Sequence, residues 1–197
     1  MKTSYLAASI MAATVVASPL TYSAPSHGTQ VTKFLSFLES AYGYYDDGVG
    51  SYAVFQAVAY DDFSGQRQGW ATVYGYDSNT SSDYSIRCSG PAYANVVSVN
   101  KINGDSSINA TLDPSSGDCS NYNVSAPVTL NVAGKYDGND RYSTNGTGKG
   151  TYYGANYKYN SQYDSFGETF TGTNGFYTGT FTGGAGTERR TERQKVK

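Results

Sequence analysis

The sequence predicts an all-β fold: a single antiparallel β-sandwich or small barrel of about 8–10 short strands with one disulfide. Three observations carry this prediction. Tyrosine is far above its usual share, with 20 residues against 8 Phe and 1 Trp, and Tyr, Thr and Val favour strands. Gly, Asn and Asp, which favour turns, recur at short intervals. The helical periodicity that crossovers of a parallel sheet need is missing. A chain of 197 residues suits one domain with a real core. Disorder would require few aromatics and high net charge, and this chain has neither.

Residues 1–17 have the layout of a secretory signal. Lys2 supplies the positive start, and residues 6–16 form an Ala-rich apolar run too short for a permanent span. Val15-Val16-Ala17 offers small residues before a cut at Ser18; cuts after Ser23 or Ala24 also fit. Residues 18–46 are expected to be a linker followed by a short element. Phe34, Leu35, Phe37 and Leu38 fit either a helical turn or a strand.

Residues 47–183 are expected to form the β domain. Asp46-Asp47-Gly48 is a turn signal, and residues 51–60 and 69–76 form a hairpin around Ser64-Gly65. In the second of these, Trp70, Thr72, Tyr74 and Tyr76 share one face. Residues 84–88 are a short strand ended by Ser89-Gly90-Pro91, and residues 93–100 follow as another. Asn103-Gly104 is the strongest hairpin turn signal. The returning strand puts Ile108, Ala110 and Leu112 on one face against Ser107, Asn109 and Thr111 on the other. Residues 113–122 are expected as a loop holding Cys119. Val128, Leu130 and Val132 share a face in residues 124–136, and Asp137-Gly138 marks a turn. From Ser143 aliphatic residues give way to Tyr and Phe spaced by Gly, Thr and Asn. Residues 169–173 and 177–182 are strands joined at Asn174-Gly175. Residues 184–197 are expected as a basic tail.

Charge is uneven. Residues 188–197 carry five basic and two acidic side chains, whereas residues 25–187 carry eight basic and fourteen acidic ones. An acidic body argues against nucleic acid as a partner, since phosphate binding needs a basic surface. No segment reaches the length and apolarity of a transmembrane helix. A membrane barrel would need a continuous apolar outer band, and here one face of most strands is Ser, Thr, Asn or Gly. The expected localisation is therefore secreted or periplasmic. In that oxidising setting Cys88 and Cys119 are expected to pair, restricting the unfolded chain by roughly 3–4 kcal/mol.

Ile86-Arg87-Cys88-Ser89-Gly90, Gly117-Asp118-Cys119-Ser120 and the pairing of residues 108–112 with 127–132 resemble a group of uncharacterised bacterial exported β-rich proteins. The resemblance spans roughly residues 50–182 and implies a fold and a compartment, with no catalytic role. Chaperone-usher pilins are a more distant likeness, because their disulfide lies early and their last strand ends the chain.

Candidate chemistry is sparse. His27 is the only histidine and sits beside the signal, a poor place for a catalytic base. Two cysteines are too few for a closed zinc site. Asp46-Asp47, Asp61-Asp62, Asp137, Asp140, Asp164 and Glu168 are the visible carboxylates; a two-carboxylate hydrolase would need a pair about 5–10 Å apart. Asp137-Gly138-Asn139-Asp140 lacks the spacing of a calcium loop and is expected as a turn. No metal and no cofactor are therefore expected. The Asn-x-Ser/Thr triplets are what composition alone would produce. The aromatics are the stronger signal. Trp70, Tyr74 and Tyr76 share one strand face, and Tyr153, Tyr157 and Tyr159 share another. Facing outward, they form a platform for carbohydrate or protein; facing inward, they fill the core. The expected function is non-catalytic binding of carbohydrate or protein through this Tyr-rich surface. A glycosidase-like hydrolase and a structural subunit of a surface or matrix assembly are the alternatives.

Overall fold

The structure is a computed structural model that describes residues 31–61, 65–152 and 155–196. Residues 1–17, expected as a signal, and His27, Asp62 and Tyr153 lie outside the described residues. Ten strands form one antiparallel sheet: β1 (Val31–Asp46), β2 (Tyr52–Asp61), β3 (Arg67–Asp77), β4 (Ser82–Gly90), β5 (Val97–Val99), β6 (Ser106–Leu112), β7 (Cys119–Tyr122), β8 (Val128–Tyr152), β9 (Ala155–Thr173) and β10 (Thr178–Val196). Their order is β5-β6-β8-β9-β10-β1-β2-β3-β4-β7, so the sheet is open, with β5 and β7 at its ends. It curls until β5 touches β1 and β2, and the short 3-10 turn at Pro91–Tyr93 lies on β3. The Val99 amide seals this seam by donating to Glu39 Oε1 at 3.2 Å.

Period-2 alternation decides which side chains enter the roll. In β6 every second residue is buried, and Ile108, Ala110 and Leu112 stand opposite Val132, Leu130 and Val128 of β8. Phe55, Phe170 and Phe181 form the aromatic centre: Phe55 meets the other two edge-to-face at 5.1 and 5.2 Å. Gly43 of β1 faces Gly183 of β10, and a Cβ on Gly43 would run into the Phe55 ring. Glycine here makes room for the aromatic centre. The disulfide joins Cys88 to Cys119 and ties edge strand β7 to β4.

Several expectations are corrected by the ladders. Linker residues 18–30 lie outside the described residues, and of the helix or strand expected after them the strand is what forms: β1, of 16 residues, in the middle of the sheet and paired on both sides over residues 38–44. The expected basic tail is the second half of β10, paired with β9 as far as Val196 and with β1 as far as Lys195. Charge alone predicts a solvated end, whereas the partner strands supply a complete ladder. Residues 93–100 yield only the three-residue β5 after a 3-10 turn, and the 113–122 loop ends in β7. Asp137-Gly138 does not end a strand: β8 bulges between Tyr136 and Arg141 and then continues along β9. The Asp137 carboxylate accepts the Asn139 and Asp140 amides there, at 2.8 and 3.3 Å. The strands were expected to be short, yet β8, β9, β10 and β1 run to 25, 19, 19 and 16 residues. Their Gly, Thr, Asn and Tyr content breaks the apolar pattern without breaking the ladder.

Candidate functional site

The outer face of β1, β2 and β3 carries a row of aromatic rings. In β3 the inward set is Gly69, Ala71, Val73 and Gly75, and the outward set is Trp70, Thr72, Tyr74 and Tyr76. The core prefers the smaller set because the roll is tight on this strand: a Cβ on Gly69 would meet the Tyr93 carbonyl, and one on Gly75 the Tyr84 ring. The large aromatics are left outside. Tyr74 is 36% exposed, and Trp70 and Tyr76 are half-buried.

Pairing extends the face across three strands. Tyr52 stands directly opposite Tyr76, and Tyr44 and Tyr42 continue the same face on β1. The Tyr44, Tyr52 and Tyr76 rings follow one another at 6.5 Å steps with tilts of 27° and 29°, so neighbouring rings stay close to parallel. Tyr42 and Tyr44 are both exposed. The Tyr44 hydroxyl donates to Asp46 Oδ2 at 2.6 Å. That bond to a carboxylate pushes the Tyr44 hydroxyl up to about 12, and the same bond, with the Gly48 amide, holds Asp46 below its ordinary value. Further along, the Arg87 guanidinium lies over Trp70 at 4.4 Å.

At one end the row opens into a cleft of about 630 Å³ between the β1–β2, β3–β4 and β9–β10 turns. Two stacked pairs line it, Tyr45 on Tyr177 at 3.6 Å and Tyr84 on Phe176 at 3.7 Å. Tyr52 and Tyr76 belong to both row and cleft. Asp47, Asp77 and Asp83 are its charged lining, with no Lys or Arg among the lining residues. Asp47 Oδ1 accepts the Val49 and Ser51 amides at 2.8 and 2.9 Å, and the Asp77 carboxylate accepts the Asn79 amide and the Thr80 hydroxyl. Backbone donors hold both acids below their ordinary value. Burial pushes Tyr84 up to about 12. A smaller hollow of about 370 Å³, beside the 3-10 turn and β6, has one aromatic and no charged group in its lining.

The second predicted set separates. Tyr157 and Tyr159 both lie on β9 at positions of one face. Tyr159 is half-buried under the Arg190 guanidinium, 4.2 Å away, and Arg190 also bonds Glu192 at 3.1 Å. This ring is occupied within the sheet; through Glu192 it stands level with Phe34 of β1, ten residues along that strand from Tyr44. Tyr42, Tyr44, Tyr45, Tyr52, Tyr84, Phe176 and Tyr177 were missed as site residues. The spacing of Tyr42 and Tyr44 was a readable signal; the turn rings come together only in three dimensions.

Among the described residues the candidate carboxylates are engaged separately. Asp61 lies 3.8 Å from Arg67, and Asp164 accepts the Ser143 hydroxyl at 2.6 Å. Glu168, which burial pushes up to about 7, is 2% exposed in the core and lines neither cleft. Asp47, Asp77 and Asp83 share the rim cleft, and backbone donors hold the first two below their ordinary value.

Among the described residues no helix is long and apolar enough to cross a membrane. Comparison with protein-family models, curated proteins and solved structures finds no match to this chain.

Proposed function

We propose that this chain is an exported, non-catalytic carbohydrate-binding protein, and that the Tyr44-Tyr52-Tyr76 row is its contact surface. The row carries the reading: three rings at 6.5 Å steps, tilted by less than 30° and set on a sheet face. Aromatic faces of this kind stack on the C–H faces of sugar rings, and their hydroxyls serve the wet rim. A pleated sheet pre-organises the rings, so little side-chain entropy is lost on binding. The cleft at the end of the row receives a chain end or a branch. Its carboxylates disfavour acidic sugars and suit neutral or amino-bearing ones. The apolar leader of residues 6–16 and the disulfide support export to an oxidising compartment, as does the resemblance to bacterial exported proteins.

The test is a thermal-melt screen of the oxidised mature protein against neutral, amino-bearing and acidic polysaccharides. A ligand at about 100 times its Kd adds roughly 2.7 kcal/mol of stability, a shift of several degrees at this size. A saturable shift with a neutral or amino-bearing glycan supports the reading. No shift with any glycan removes it and leaves a protein partner for the same face.

A further inference from the structure

Strands β8, β9, β10 and β1 outrun the rolled body. β6 covers β8 only over residues 128–134. Over residues 141–152 β8 pairs with β9 on one side, and no strand lies on its other side among the described residues. An edge of this kind presents a row of unpaired N–H and C=O groups, and proteins blunt such edges with shortness, proline, charge or bulges. The strands at the two ends of the sheet follow that rule, and residues 31–37 of β1, which β2 leaves uncovered, carry Lys33. β5 has three residues, and β7 has four and is anchored by the disulfide. Residues 142–152 have no Pro and no acid, and only Lys149 is charged.

We infer that this edge pairs with the same edge of a second copy of the chain, making a two-fold dimer with a continuous antiparallel sheet. A two-fold contact requires a surface complementary to itself, and this segment has one. Antiparallel pairing centred on Thr147 places Asn145 opposite Lys149, Thr144 opposite Gly150 and Tyr142 opposite Tyr152. No like charges then stand opposite each other, which is the condition that favours cross-strand pairing. The side chain of Thr147 is exposed, so the axis is open to approach. A two-fold normal to the sheet keeps the same face of both copies on one side. Two tyrosine rows can then engage one polymer, raising apparent affinity without a new contact. The dimer itself does not depend on the carbohydrate reading.

The test is sedimentation velocity on the full oxidised chain, with Thr147→Lys as the variant. The substitution sets two ammonium groups against each other on the axis, while the position's own partner on β9 is the neutral Asn160. A concentration-dependent dimer is expected for the native chain, with its dissociation constant raised about fivefold or more in the variant. Hydrogen exchange of the native chain is the second readout: amides in residues 142–152 exchange more slowly as concentration rises. A chain that stays monomeric with concentration-independent exchange overturns the inference. So does a dimer that Thr147→Lys leaves unchanged, and so does a monomer that instead captures an extended peptide of another protein along this edge.

Discussion

Replacing Glu168 by Gln is expected to abolish a loss of stability between acid and neutral pH. Glu168 lies inside the roll at 2% exposure. The Ser106 hydroxyl donates to its Oε2 at 2.5 Å, while its Oε1 has no partner among the described residues. Gly134, opposite both Ser106 and Phe170, makes room for the carboxyl. Burial pushes this group from its usual 4.5 up to about 7. Below pH 4.5 both folded and unfolded chains hold the proton, and the group carries no penalty. Between 4.5 and 7 the unfolded chain ionises while the folded one does not, so stability falls; above 7 the loss is complete. At 1.36 kcal/mol per unit the full loss is about 3 kcal/mol, or roughly 6–10 °C in Tm. Glu168→Gln keeps an acceptor for Ser106 and removes the titration. Urea unfolding of both proteins from pH 4 to 8 should show the variant gaining about 3 kcal/mol on the parent across that window. Asp46, Asp47 and Asp77 are held low, and what they contribute is lost only as pH falls through the acid range, equally in both proteins. A difference between variant and parent that stays constant with pH would refute the assignment.

Two further outcomes concern the frame of the site. Reduction of Cys88–Cys119 frees the β7 edge from β4 and is expected to lower stability by about 3–4 kcal/mol, measured by urea unfolding with and without reductant. Asn174 is fully buried; its Oδ1 accepts the Phe176 and Tyr177 amides and its Nδ2 donates to the Val54 carbonyl. Asn174→Ala leaves these groups without partners and is expected to cost about 2–3 kcal/mol. Because the turn carries both Phe176 and Tyr177, the variant should also weaken ligand binding at temperatures where it remains folded.

The parts of the fold that were legible are those where side-chain period and burial agree. Ile108, Ala110 and Leu112 alternate with polar residues and meet Val128, Leu130 and Val132 as expected. Asn174-Gly175 joins its two strands, and the cysteines pair. In β3 the alternation was legible but its side was not. Trp70, Tyr74 and Tyr76 are the bulkier set, and the tight roll admits only Gly, Ala and Val, so space decided which face turned inward. The pattern Phe166-x-Glu168-x-Phe170 already placed Glu168 on a core face; its charge concealed this. The charged run from Glu188 onward indicated a solvated tail because its ladder partners, residues 155–163 and 31–38, lie far away in the chain. The rim cleft gathers three turns and had no local signature.

The most direct test of the tyrosine row is a titration of the native chain and of Tyr52→Ala with whichever glycan the melt screen selects. Tyr52 is the middle ring, so its loss interrupts the row. The expected result is a Kd raised about tenfold, roughly 1.4 kcal/mol, while Tyr142→Ala on the remote β8 edge binds as the native chain does when both are compared in the same oligomeric state. Equal affinities for the native chain and Tyr52→Ala would contradict the assignment of this face as the binding surface.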